Sequence, residues 1–252
     1  MAGSKPICFD LFSGLGGWTD GLLAEGFRVV GFDVERHVYG EHKYPAQLVL
    51  QDVLTIHGAQ FRDAALIVAS PPCQEFSYMA MPWTRARQIA RALRGKDEFP
   101  ANYKGSRTLA DLTRLFDACF RIQREASEAA GRHIPMVVEN VAGAQRWVGR
   151  ARWHHGSFYL WGDVPAIMPV TVKAAKVPGF RFDGSGRSFQ TASVERTDGI
   201  KQGGKWFYDS KGTLSQHSSG SPARKAASAK IAKIPPALAR HVARVYHPAI
   251  GT

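Results

Sequence analysis

Short apolar runs bounded by turn formers recur through the first half of the chain. Residues 7–12 (ICFDLF) read as a buried strand that enters a glycine turn at 13–17. The stretch from there to about Glu25 reads as a helix ended by Gly26. Further runs at 28–33 (RVVGFD), 48–51 and 66–70 (LIVAS) are short and rich in branched residues, as strands buried on both faces are. Between 108 and 130, Leu109, Leu112, Leu115, Phe116, Cys119, Phe120 and Ile122 follow helical spacing and predict one long amphipathic helix. Strands are predicted again at 135–139 (PMVVE) and 157–161 (SFYLW). The alternation predicts an α/β fold, a doubly wound and mostly parallel sheet with helices on both faces.

Beyond Pro165 the pattern changes. Residues 178–222 are rich in Gly, Ser, Lys and aromatics with weak periodicity, which predicts a small loop-rich β lobe. Helical spacing returns at 223–232 and at 236–246, the second helix starting on proline. The expected division is a catalytic and cofactor-binding domain over 1–165, a lobe over 166–222, and C-terminal helices over 223–252 that pack back on the first domain.

Composition narrows the function. With 44% hydrophobic residues among 252, the chain has enough apolar material for one full core. No run approaches the roughly 20 apolar residues of a membrane span, and the start lacks the pattern of a secretory signal, so a soluble intracellular protein is expected. The three cysteines form no C-x-x-C pair, which argues against a disulfide framework or a cysteine zinc site, and no metal is expected. The net charge of +12 is unevenly spread: residues 171–252 hold 14 basic and 4 acidic side chains, a balance of +10. Such a field suits nucleic-acid phosphates, although a solvated surface has the same composition.

Three places carry chemistry. The turn Ser13-Gly14-Leu15-Gly16-Gly17 puts bare backbone and a helix start at the carboxyl edge of the sheet, where ligands of doubly wound folds bind. Asp33 closes the second strand, where a carboxylate can accept ribose hydroxyls, and Asp52 follows the third, within reach of an adenine amine. Either could equally be a turn or helix cap. No G-x-x-x-x-G-K-[ST] is present, which favours an adenosyl group with an amino-acid tail over a nucleotide triphosphate. The second place is Ser70-Pro71-Pro72-Cys73-Gln74, where two prolines project Cys73 from the same edge as a possible nucleophile. Cys8 and Cys119 fit buried apolar positions instead. The third is Glu139, an acid at the end of a buried strand, which must be hydrogen-bonded or must handle protons.

These residues resemble the DNA (cytosine-5) methyltransferases, compact bacterial or phage type, over roughly 6–165 and the last 20 or so residues. Asp10-Leu11-Phe12-Ser13-Gly14-Leu15-Gly16-Gly17 looks like the family's donor motif, Pro71-Pro72-Cys73-Gln74 like its nucleophile motif, and Glu139-Asn140-Val141 like its acid motif. The resemblance implies S-adenosyl-L-methionine as methyl donor, held by Phe12 on the adenine, by the turn 13–17, by Asp33 and Asp52, and beside Pro72. Cys73 would attack C6 of a cytosine flipped out of double-stranded DNA, and Glu139 would stabilise the charge at N3. The loop over 75–107, with seven basic residues, would close on the DNA, and Gln74, Ser77, Arg85 and Arg87 would contact it. A monomer in the cytoplasm of a bacterial or phage-infected cell is expected.

The chain departs from that family in two places. Where the family has Q-x-R-x-R, this chain reads Gly149-Arg150-Ala151-Arg152-Trp153-His154, so Arg150 or Arg152 would stand in, with Arg152 taken as catalytic. The C-terminal donor motif lacks its Asn before Ile234-Pro235. The lobe is short, so a short or degenerate target is expected, read partly through Lys205 and Trp206. The competing readings are a DNA-binding protein on a degenerate methyltransferase fold and an RNA cytosine-5 methyltransferase.

Overall fold

Five short runs of branched residues form the parallel centre of a seven-stranded sheet: β1 (Ile7–Leu11), β2 (Arg28–Asp33), β5 (Gln47–Leu50), β6 (Leu66–Ala69) and β7 (Met136–Asn140). The computed structural model describes residues 4–73, 76, 83–103, 108–168, 229 and 232–248. The strand order is β5-β2-β1-β6-β7-β9-β8, where β8 (Trp153–His155) and β9 (Phe158–Gly162) complete one edge. β9 runs antiparallel to both β7 and β8, so β8 points the same way as the centre. This is the expected doubly wound, mostly parallel sheet, a Rossmann-like methyltransferase arrangement, and it exposes five carboxyl ends along one edge.

Alternation along the strands feeds two cores. Phe9, Leu11, Ile67 and Val138 face α3 (Leu109–Ala130), while Cys8, Leu66, Val68 and Val137 face α1 (Gly17–Ala24) and α5 (Pro236–Tyr246). The long helix starts on a capping box between Thr108 and Asp111 and ends on Gly131 at φ 64°, within a residue of the bounds its spacing predicts. Cys8 and Cys119 are fully buried, and burial pushes both thiols up.

Helix α5 lies on α1 because two glycines admit it. A Cβ on Gly17 would stand 2.4 Å from the Ile234 nitrogen, and one on Gly21 would stand 2.4 Å from the Ala239 Cβ. Arg240 and Arg244 add ion pairs to Glu25 at 2.6 and 2.8 Å, and Lys233 pairs with Asp20 at 2.6 Å. These partly exposed pairs set register more than they stabilise.

Two features differ from the sequence reading. The stretch 75–107 is not all loop: α2 (Trp83–Ala92) buries Ala86, Ile89 and Ala92 and turns its arginines outward. A small antiparallel hairpin, β3 (Val38–Tyr39) with β4 (His42–Lys43), leaves the end of β2. Its two-residue strands are mostly exposed and carry no period for a pattern to show. The remainder of the chain, including nearly all of 166–222 and most of 223–232, lies outside the described residues.

Candidate active site at the carboxyl edge of the sheet

Where β1 ends, the backbone turns through left-handed geometry. Phe12 has φ 59°, Gly14 50° and Gly16 75°, and Phe12 is the one described residue other than glycine with positive φ. Such a residue costs about 1–3 kcal/mol and persists where its surroundings impose it. Phe12 is half-buried against the α3-side core, and the Ser13 nitrogen donates to the Phe32 carbonyl at 3.1 Å. The three glycines of the turn differ in purpose. A Cβ on Gly16 would meet the Pro45 ring at 2.5 Å and one on Gly17 would meet Ile234, so both serve internal packing, while Gly14 faces open space. Leu15 is buried and offers only its backbone.

Asp33 joins this turn to the end of β2. Its Oδ2 accepts the Gly14 N–H at 2.9 Å, its Oδ1 accepts that of Val34 at 2.8 Å, and His37 stands 3.4 Å away. Burial pushes its carboxyl up, but the bonds from His37 and Gly14 outweigh this and hold it below the usual range. An ionised carboxylate with about four acceptor positions keeps capacity for hydroxyl donors. Asp52 is exposed and accepts the Leu54 N–H at 2.9 Å as the cap of a short 3-10 turn, Val53–Thr55. It stands at the same edge, after β5, and serves the capping role that the sequence left open.

The second half of the edge is built on β6 and β7. Pro71 is buried, Pro72 exposed and Cys73 half-buried, with the Cys73 carbonyl accepting the Phe76 N–H at 3.0 Å. The Asn140 side chain, fully buried, donates to the Pro71 carbonyl at 2.9 Å and accepts the Val141 N–H at 2.8 Å. It thereby ties the exit of the cysteine strand to the exit of the glutamate strand. Glu139 is 4% exposed. Trp18, in the first turn of α1, donates its ring N–H to the Ser70 hydroxyl at 3.1 Å, which links the glycine turn to the cysteine loop. Sequence reasoning missed Trp18 and the tether of Asn140; a tryptophan one residue past a glycine turn was the available signal.

Beneath α1, Thr19 donates to Asp10 Oδ2 at 2.6 Å and lies 2.6 Å from the Tyr44 hydroxyl. Burial pushes the Asp10 carboxyl up to about 8; Thr19's bonds oppose the rise, and the Asp33 charge adds to it. The folded state therefore holds a proton that the unfolded chain releases near 3.8. Stability drawn from that proton is complete below this value and falls as pH rises to about 8. Asp10→Asn should gain on the wild type through that window and hold a constant advantage above it, read by urea unfolding at pH 4, 6, 8 and 9. Parallel profiles for the two proteins contradict a neutral buried Asp10.

Arg152 immediately precedes β8, which β9 separates from the strand of Glu139. Its N–H pairs with the Leu160 carbonyl just before β8, and since β8 runs with the central strands, its later residues reach the carboxyl side. The Arg152 charge also bears on Tyr246, whose hydroxyl donates to the Asp163 carbonyl near the amino end of β7. The exposed side chain that the register places toward the carboxyl side is His154, stacked on Tyr159 at 4.8 Å, opposite Asn140. Of the arginines on α2, Arg85 bonds Asn102 at 2.6 Å, Arg91 pairs with Asp97, and Arg94 lies 4.5 Å over the Trp147 ring, while Arg87 is exposed. Gln74, Ser77, Lys205 and Trp206 lie outside the described residues. An open cavity of about 740 Å³ lined by Lys5, Asp63, Arg132 and His247 belongs to the opposite, amino edge. Among the described residues no cluster of His, Cys, Asp or Glu could hold a metal ion, and no helix is long and apolar enough to cross a membrane.

The carboxyl edge also shows a vacant hydrogen-bonding position. The Ser13 hydroxyl is buried with no partner among the described residues, next to the open face of Gly14 and one residue beyond Phe12. A buried hydroxyl left unpaired costs about 1–3 kcal/mol, and a polar ligand at the turn recovers it.

Residues 7–85 match the model of the C-5 cytosine-specific DNA methylases. No curated protein matches the chain. Solved structures that resemble it include a DNA modification methyltransferase encoded within a prophage (E. coli), at 20% identity and TM-score 0.32, covering 56% of this chain and 33% of that one. The S. pombe Dnmt2 methyltransferase is 15% identical with TM-score 0.33, covering 58% and 37%, and the Entamoeba histolytica methyltransferase EhMeth is 15% identical with TM-score 0.34, covering 58% and 41%. The match to this chain thus spans between a third and about two fifths of those structures. The fold and the matched family model together imply S-adenosylmethionine binding, and at this edge Ser13 offers a hydroxyl and Asp33, braced by the Gly14 N–H, offers acceptor positions.

Proposed function

We propose that the protein is an S-adenosylmethionine-dependent cytosine-5 methyltransferase acting on double-stranded DNA. One observation carries the reading: Cys73 and Glu139 leave neighbouring parallel strands at the same edge, tied by the Asn140 bond to Pro71, beside a glycine turn with an unsatisfied buried hydroxyl. A pure binding protein on this fold has no chemical need for either the thiol or the acid.

The donor would be held by the turn 13–17, with Phe12 for the adenine, Asp33 for the ribose, Asp52 for the adenine amine and Pro72 alongside. When bound, S-adenosylmethionine supplies an electrophilic methyl group on a sulfonium. Cytosine C6 is a weak electrophile, so attack on it needs a thiolate and polarisation of the ring. The Cys73 sulfur forms a bond to C6 while Glu139 hydrogen-bonds N3 and the exocyclic amine, and the electron pair moves to C5. C5 would take the methyl as its bond to the sulfonium sulfur breaks and S-adenosylhomocysteine leaves; a base would then remove the C5 proton, and the bond from C6 to Cys73 would break with its electron pair returning to sulfur, restoring the ring. The buried strand end keeps Glu139 out of bulk water, and extrusion of the base from the duplex gives both groups access to it.

Arg87 and Arg85 on α2, with Gln74 and Ser77 beyond Cys73, would face the phosphates, and the basic segment 166–222 with Lys205 and Trp206 would read the target. The balance of +10 over residues 171–252 favours a polyanionic substrate. Duplex DNA carrying 5-fluorocytosine tests the mechanism, because fluorine at C5 cannot leave as a proton does and the adduct persists. A donor-dependent complex that survives denaturant is expected with DNA. The same complex formed only with 5-fluorocytosine RNA transfers the reading to an RNA enzyme, and no complex with either removes the covalent step.

A further inference from the structure

The segment that leaves Asp33 returns to grip the glycine turn from outside. Pro45 lies over Gly16, where a Cβ would stand 2.5 Å from its ring, and Tyr44 lies over Gly31 of β2, where a Cβ would stand 2.3 Å from the Tyr44 Cζ. A glycine inside a buried strand gives up packing and β propensity, and here the space it leaves is filled by one aromatic ring. Tyr44 is 7% exposed, and its hydroxyl lies 2.6 Å from Thr19 Oγ1. Thr19 also bonds Asp10 at 2.6 Å, so Tyr44, Thr19 and Asp10 form one continuous chain of two hydrogen bonds. Asp10 is the next-to-last residue of β1 and Thr19 is in the first turn of α1, so the two ends of this chain of bonds bracket the turn 12–17. Nothing in the methylase motifs includes Tyr44.

We propose that Tyr44 is a positioning residue for the methyl donor, fixing the turn 12–17 through Thr19 and Asp10 so that the Ser13 hydroxyl, and the Asp33 carboxylate that the Gly14 N–H braces, stand where the donor needs them. The proposal rests on reading that turn as the donor site. Tyr44 touches no reacting atom; its hydroxyl sets the height of α1 over β1, and its ring holds the β3–β4 segment, and with it the exit from Asp33, against the same turn.

Tyr44→Phe keeps the ring over Gly31 and removes only the bond between its hydroxyl and Thr19. Calorimetric titration of the full chain with S-adenosylmethionine and S-adenosylhomocysteine should show both dissociation constants raised about tenfold, the consequence of one buried polar bond lost. Thr19→Val should weaken binding to a similar degree, Thr19→Ser should restore it to within about threefold, and the double variant Tyr44→Phe/Thr19→Val should be little worse than either single change, as members of one network are. Turnover at saturating donor should stay within about twofold. Asp33→Ala serves as the control on the site itself. If Asp33→Ala weakens binding while Tyr44→Phe matches the wild type, or only lowers the melting temperature, the role given to Tyr44 is overturned and the donor site stands. If neither change affects binding, the donor-site reading falls, and the proposal with it. Should Tyr44→Phe fail to fold, the comparison of Thr19→Ser with Thr19→Val decides: equal affinities overturn the network's role.

Discussion

Cys73→Ser should lose methyl transfer by roughly a thousandfold or more while binding duplex DNA within about threefold of the wild type. A serine hydroxyl at this place has the size of the thiol but is ionised at neutral pH to a negligible degree, and C6 of cytosine does not yield to a neutral alcohol. The change should not disturb the fold, because Cys73 is half-buried on a loop whose position is held by neighbours: Asn140 grips Pro71, and Phe76 buries itself two residues beyond Gln74. Single-turnover transfer measured beside an electrophoretic DNA-binding assay separates the two quantities. Retained turnover in Cys73→Ser removes the nucleophile assignment, and loss of DNA binding together with turnover points to a structural role.

Asp33→Ala carries the second large effect, a loss of donor affinity of about a hundredfold with DNA affinity unchanged. The carboxylate has two tasks: it accepts the Gly14 N–H at 2.9 Å, which shapes the turn, and it offers its remaining acceptor positions to the donor's hydroxyls. Bonds to a charged acceptor contribute about 1.5–3 kcal/mol each, and alanine removes both kinds together. Asp33→Asn retains one oxygen for Gly14 and should fall between the two, near tenfold. Titration with S-adenosylhomocysteine checks both values, and an Asp33→Ala affinity equal to the wild type places the donor elsewhere.

Legibility in the sequence followed burial. The strands at 28–33 and 66–69 and the helix at 236–246 were readable because their side chains are sorted by a sheet or a helix neighbour, and such sorting leaves a period. The hairpin at 38–43 has no buried face and left none. Helix α2 was readable in part, since Ala86 and Ile89 keep helical spacing, but its density of arginines reads equally as a solvated loop. At the site, the acid and the cysteine were visible because Glu139 and Cys73 are chemically out of place at strand ends. The packing task of the glycines was not legible, for Gly16 and Gly17 make room for Pro45 and Ile234, contacts from 29 or more residues away that local pattern does not carry. The place of Arg152 beside the sheet depends on the direction of β8, which only the pairing with β9 reveals. The partnership of Asp10, Thr19 and Tyr44 joins three elements and was legible in none of them.

The central claim, methylation of cytosine at C5, is tested most directly by incubating the purified chain with S-adenosylmethionine carrying a deuterated methyl group. Unmodified duplex DNA and, separately, RNA are offered as substrates and then digested to nucleosides for mass spectrometry. Labelled 5-methyldeoxycytidine from the DNA, absent with Cys73→Ser, is the predicted result. Labelled 5-methylcytidine from the RNA alone would keep the chemistry and contradict the DNA substrate, and no labelled cytosine from either, with donor binding intact, would contradict the account.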